Sequence, residues 1–274
     1  MRFQPTVNIE WTDFHSMCKQ LLTEQGVGLK KSPRYEQMLK SDAMRSLIAS
    51  VSSRLGLEKN ISTSEMKLMF RGCAFGHAIH DKSAWCTVFS KQELRLIELL
   101  EDVDDFYSDA YGRDINTKAP CSVVRDLVTR IEAVVAPREE RTAGSEDQRT
   151  FLRFSHAGAI KQLMSYLGLF DELTSGPTTA ATTCESETWD SRSRVWRSSL
   201  ISPFSANLQF ILYNCSQAAS ATQATQGIDY RLRTLLQESP VVVRGCTSDL
   251  CPLPHFLAQY RSAQQCNLKK ICRI

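Results

Sequence analysis

The chain has 274 residues, 42% of them hydrophobic and 23% charged. That is the make-up of an ordinary globular protein with length for one or two domains, and it excludes a wholly disordered or fibrous chain. The net charge of +3 is too small to argue for nucleic acid or an anionic membrane, and no segment approaches the ~18 uninterrupted apolar residues of a membrane helix.

The first half reads as helices. Residues 12–25 place Phe14, Met17, Cys18, Leu21 and Leu22 on one stripe, ended by Gly26. Ser32-Pro33 is a cap followed by proline at the first helical position. Behind it Met44, Leu47, Ile48, Val51 and Leu55 recur at helical spacing as far as Gly56. Ser62 with Glu65 forms a capping box ahead of Met66, Met69, Phe70 and Cys73, and Ser90 with Glu93 forms another ahead of Leu96, Ile97, Leu100, Val103 and Tyr107. A further helix follows Pro120, carries Val124, Leu127, Val128, Ile131 and Val135, and stops at Pro137. The methionines on these stripes read as core. His77 and His80 are three apart, but Gly72 and Gly76 argue against a rigid helix there, and no third metal ligand is near.

Residues 138–149 are polar and read as an exposed linker. The texture then changes. Thr150 to Phe154 is a short strand-like run that passes through Ser155-His156-Ala157-Gly158 into a helix with Ile160, Leu163, Met164 and Leu167 on its stripe and Gly168 at its end. A strand running through a polar turn into a helix is the usual α/β site geometry, and helix N-terminal amides favour an anion such as phosphate. His156 sits on that turn, where it is either a phosphate donor or a capping and packing residue. Residues 174–193 are an uncommitted Thr/Ser/Ala-rich loop. Val195 to Ile201, Leu208 to Tyr213, Tyr230 to Leu236 and Val241 to Val243 are strand candidates, the last two around a turn at Gln237-Glu238-Ser239-Pro240.

The ten cysteines are spread along the chain, even in number and without a Cys-x-x-Cys pair, which favours several disulfides in an oxidising compartment. Buried thiols in a cytosolic protein are the alternative. Four cysteines lie in the tail from Cys246 onward and are expected to staple it to the body. Sequons at Asn60-Ile61-Ser62 and Asn214-Cys215-Ser216 mark Asn60 and Asn214 as glycosylation candidates. The opening Met1-Arg2-Phe3-Gln4-Pro5-Thr6 is not a signal peptide, so either the protein is cytosolic or this is not its natural beginning.

Five blocks, in order, resemble the multiple inositol polyphosphate phosphatases, a branch of the histidine acid phosphatases. Asp81 to Phe89, with Ala84-Trp85-Cys86, resembles the family's Ser-Pro-Trp-Cys-x-x-Phe segment. Tyr111-Gly112-Arg113-Asp114-Ile115-Asn116 resembles its Tyr-Gly-Tyr-x-x-Asn, with Cys121 following. Leu152-Arg153-Phe154-Ser155-His156-Ala157 resembles its strand ending in Phe-Gly-His-Ala-Glu. Trp196 to Leu208 resembles its Phe-Arg-Ser-x-Leu-Ile-x-Pro-Tyr-x-x-Asn-Leu block, and Leu212-Tyr213-Asn214-Cys215 its close.

The resemblance implies an α/β, histidine-acid-phosphatase-like fold: a mainly helical domain over residues 1–137, the linker, and the C-terminal part of an α/β phosphatase domain over residues 150–274. That sheet domain is expected to be incomplete, since the length falls short of the family's whole catalytic domain. It implies inositol polyphosphates or other phosphate monoesters as substrates, no cofactor or metal, and work in the endoplasmic reticulum lumen or outside the cell. His156 becomes the phosphate-contacting residue, and Arg153 and Lys161 the candidate substrate-binding cations, with a solvated surface position as the alternative for each.

Two departures bear on activity. The family's nucleophilic histidine stands in Arg-His-Gly-x-Arg and forms a phosphohistidine; no Arg-His-Gly occurs in this chain. The family's acid is the glutamate of His-Ala-Glu; here His156-Ala157 is followed by Gly158, which has no proton to give. The chain by itself is therefore expected to be inactive. The alternative is a secreted pseudoenzyme that binds an anion or a partner.

Overall fold

The computed structural model describes residues 32–136, 150–171, 194–215 and 229–272. The helix expected over 12–25, the linker 138–149 and the loop 174–193 lie outside them. Described residues 32–108 and 194–204 form one compact unit, and 109–136, 150–171, 205–215 and 229–272 form another. This grouping differs from a linear division at 137 and 150, because residues 109–136 group with later segments.

The first unit is helical. α1 (Pro33–Leu39) starts on Ser32, whose hydroxyl accepts from the Tyr35 amide at 3.1 Å. α2 (Asp42–Arg54) has its own cap, Ser41, so the stripe behind Pro33 belongs to two helices. Gly56 follows it with φ +69°, a left-handed backbone that glycine adopts without a Cβ penalty. α3 (Thr63–His80) begins with the expected capping box: the Ser62 hydroxyl accepts from the Glu65 amide at 3.2 Å, and the Glu65 carboxylate accepts from the Ser62 amide at 2.7 Å. Ser62→Ala is expected to cost about 1 kcal/mol of stability, read as a lowered urea midpoint at unchanged slope.

α3 runs unbroken through Gly72 and Gly76, contrary to the sequence expectation. The reason is packing from the following turn at Ala84–Val88. A Cβ on Gly72 would lie 2.9 Å from the Trp85 ring, and one on Gly76 would lie 2.5 Å from the Ser83 side chain. The glycines let that turn close on the helix, where Cys73 and Cys86 form a disulfide. α4 (Lys91–Asp109) starts on the second expected box, Ser90 with Glu93. Met44, Leu47, Val51, Met66, Ile97 and Leu100 from α2, α3 and α4 make the core.

Arg194 and Trp196 also belong to this unit and are buried. The strand expected over 195–201 is instead a short helix, α7 (Ser198–Ile201). Asp102 of α4 accepts from the Ser198 amide at 2.7 Å and from Arg194 Nε at 2.7 Å, and Glu98 pairs with Arg194 and Arg197, each at 3.0 Å. The Asp102 carboxylate thus takes an amide of the first turn of α7, as a helix start needs.

In the second unit, α5 (Cys121–Val135) follows Pro120 as expected and buries Val124, Val128 and Ile131. α6 (Ala157–Tyr166) ends at Leu167 and Gly168, the latter at φ +75°. The run 150–154 belongs to no described strand, so the expected strand-to-helix unit is reduced to its turn and helix.

The sheet is small and antiparallel throughout. β1 (Leu208–Asn214) pairs along its length with β2 (Tyr230–Leu236), matching both strand expectations. β3 (Ser239–Val241) and β4 (Leu250–Pro252) share the other edge of β2. The β2–β3 turn is tighter than expected: Gln237 and Glu238 alone make it, both at positive φ, the geometry of a two-residue hairpin turn. Pro240 therefore lies within β3, on an outer strand where its missing N–H is tolerated, and pairing stops before Val242.

Leu232, Thr234 and Leu236 alternate into the core, and Phe256 and Tyr260 of α8 (Leu253–Tyr260) pack beside them. The tail closes with α9 (Leu268–Cys272). Of its cysteines, Cys246 pairs with Cys251 inside the tail, Cys266 staples to Cys121 of α5, and Cys272 is also disulfide-bonded.

Candidate functional site

The turn that opens α6 is built by a histidine. His156 has extended backbone, φ −116° and ψ 169°, and its Nδ1 accepts from the Ala159 amide at 3.4 Å. The side chain thus caps its own helix, the plainer of the two roles the sequence left open. It is exposed, so its ring stands where a ligand could reach it.

One turn further on, Lys161 is 6% exposed, not the solvated surface residue that was its alternative. Its ammonium lies 2.9 Å from Oδ2 of Asp109, at the end of α4. The other carboxylate oxygen, Oδ1, would be 3.2 Å from a Cβ on Gly158. The same Cβ would be 3.3 Å from the His156 ring. His156, Gly158, Lys161 and Asp109 therefore meet over the first turns of α6.

Arg153 is held elsewhere. It pairs with Asp126 of α5, which also accepts from Arg130 Nε at 2.9 and 3.0 Å. Arg130 in turn covers the Phe151 ring, 4.3 Å from its centre. Both guanidinium groups therefore meet on one carboxylate, that of Asp126.

The block from Tyr111 to Asn116 braces α6. The Tyr111 hydroxyl donates to the Leu169 carbonyl at 2.8 Å, and burial pushes its pKa well above the usual phenol value. Fully buried Asn116 donates to the Ala110 carbonyl at 3.0 Å and accepts from Gln162 of α6 at 3.4 Å. The Tyr260 hydroxyl donates to the Leu167 carbonyl at 2.9 Å. The middle of α6 and the segment that follows it are held from outside the helix.

Asp109 is the residue that sequence reasoning missed. Its only sequence signal is its place two residues before Tyr111, and its meeting with Lys161 is a tertiary fact. His77 and His80 both lie in the last turn of α3, and among the described residues no group of three or more His, Cys, Asp or Glu is placed to hold a metal. Asn60 and Asn214 are both exposed, one just ahead of α3 and the other at the end of β1. No described helix is long and apolar enough to cross a membrane.

A family model described as "Histidine phosphatase superfamily (branch 2)" matches residues 13–237. Curated relatives include multiple inositol polyphosphate phosphatase 1 of Homo sapiens, 27% identical over 236 residues, covering 85% of this chain and 46% of that protein. The Gallus gallus protein of the same name is 24% identical over 235 residues, covering 84% of this chain and 49% of that protein. The chain thus spans about half the length of these relatives. Among solved structures, a Bifidobacterium longum multiple inositol polyphosphate phosphatase in complex with phosphate aligns with a TM-score of 0.49 at 18% identity, covering 88% of this chain and 59% of that one.

Proposed function

Because the chain belongs to the histidine phosphatase superfamily (branch 2), we propose that it carries part of a phosphomonoesterase acting on inositol polyphosphates, and that as it stands it binds phosphate esters without hydrolysing them. The observation that carries this reading is the turn at His156. A histidine opens a helix whose N-terminal amides favour an anion, in the same sequence block as Arg153. His156 is the phosphate contact and Arg153 an outer electrostatic contact. Lys161, being buried, acts through its carboxylate partner and does not reach the ligand.

Inactivity follows from chemistry that is missing. The sequence has no Arg-His-Gly, so no phosphohistidine forms by the family's route, and Gly158 cannot protonate a leaving oxygen. Loss of a general acid alone typically costs ~10²–10⁴ in rate. The disulfides Cys73–Cys86, Cys121–Cys266 and Cys246–Cys251 support a secretory or extracellular setting, and the exposure of Asn60 and Asn214 suits glycosylation at both. Gly158 favours a second reading, a secreted pseudoenzyme retained for binding.

Titration of inositol hexakisphosphate into the purified chain tests the site. Weak, salt-sensitive binding is expected, reduced severalfold by His156→Ala. Binding unaffected by that substitution would place the ligand elsewhere.

A further inference from the structure

The Asp109 carboxylate enters the reading above only as the partner of Lys161, yet it also meets the turn itself. It lies against the opening turn of α6, where a free anion would be drawn, and its Oδ1 is among the nearest atoms to the place a Cβ on Gly158 would take. Gly158 admits it: a Cβ at that position would be 3.2 Å from Oδ1, tighter than an ordinary contact. Lys161, buried beneath, fixes the other oxygen at 2.9 Å. A buried ammonium is costly without a partner, so the pair holds the carboxylate in place.

We propose that Asp109 is a built-in competitor for phosphate at this turn, an autoinhibitory contact that sets the chain's affinity for phosphate esters. The proposal rests on the reading that phosphate esters bind beside His156, and it adds what limits them. A phosphate seated there meets the carboxylate's negative charge in a partly buried setting, where like-charge repulsion is screened far less than in water. Gly158 and Asp109 act together. Returning a glutamate to position 158 with Asp109 present crowds two carboxylates, so Gly158→Glu on its own should weaken phosphate binding further.

Binding of inorganic phosphate and of inositol hexakisphosphate, each measured by calorimetry at fixed salt, tests this on the intact chain. Asp109→Asn keeps an oxygen for Lys161 and removes the charge; it should bind both probes at least about tenfold more tightly than the unaltered chain. Adding His156→Ala should remove most of that gain. Equal affinity with and without Asp109→Asn overturns the proposal, while His156-dependent binding in both leaves the underlying site intact. No binding by any variant overturns both. A gain that survives His156→Ala also overturns the proposal, because the freed site is then elsewhere. Should Asp109→Asn fail to fold, replacing Asp109 and Lys161 together by leucine and methionine removes the competing carboxylate without stranding a charge; absence of any gain in that variant is equally fatal.

Discussion

Replacing Cys121 and Cys266 together by alanine is expected to lower stability by about 3–5 kcal/mol, the largest loss from any one of the three disulfides whose two cysteines are both described. The two residues are separated by 145 positions, against 13 for Cys73–Cys86 and 5 for Cys246–Cys251. A cross-link acts mainly on the unfolded chain, and the entropy it removes grows with the logarithm of the loop it closes. This link ties the start of α5 to the tail, where Arg125 also donates to the Cys266 carbonyl at 3.0 Å. Ile115, Ala119, Ala159, Leu268 and Cys272 pack as one small buried cluster in the same unit. Urea unfolding of the three double variants should rank them by loop length. A larger loss from Cys246–Cys251 than from Cys121–Cys266 would contradict the entropic origin.

Asp102→Ala should cost about 3–5 kcal/mol, the expected penalty for breaking one side of a buried ion pair. Asp102 and Arg194 are each 3% exposed at the side chain, and Asp102 accepts both Arg194 Nε and the Ser198 amide. Removing it takes a carboxylate from the buried Arg194 guanidinium and the acceptor from the Ser198 amide. Ser199→Ala, which removes an exposed hydroxyl from Glu98, should cost well under 1 kcal/mol.

The same cluster sets a pH signature. Burial pushes the Asp102 carboxyl above its ordinary value, only partly offset by the Ser198 amide and Arg194. The folded state therefore binds that proton more tightly than the unfolded state, and this contribution falls as pH rises through the raised value. Glu98 behaves oppositely. Burial pushes it up, but hydrogen bonds from Ser199 and Arg197 and the charges of Arg194 and Arg197 hold it below the ordinary 4.5. Its contribution is present above that value and lost as pH falls through the lowered one. Asp102→Asn removes the first trend and leaves the second. Stability of that variant should fall more steeply below pH 4.5 than that of the unaltered chain.

The features legible in the sequence are those decided by local chemistry. Ser62 with Glu65 and Ser90 with Glu93 form boxes because the partners are three residues apart and need nothing else. β2 follows from alternation that one buried face enforces, and β1 pairs with it along its length. The errors share one cause, distant groups acting on a local pattern. Gly72 and Gly76 argue against a rigid helix, yet Trp85 and Ser83 return to fill the space they leave. Residues 195–201 have strand-like composition, but Asp102 supplies an acceptor for the Ser198 amide at the start of a helical turn. At the candidate site, His156 was visible because its turn is local. Burial of Lys161 was not, since it depends on Asp109 arriving from the end of α4.

Phosphate binding at the His156 turn without turnover, as proposed above, makes a direct demand on activity. Phosphate release from inositol hexakisphosphate by the purified chain, at acid and at neutral pH, tests it most directly. The expected result is no release above that of a His156→Ala control; sustained release above that control would contradict the account.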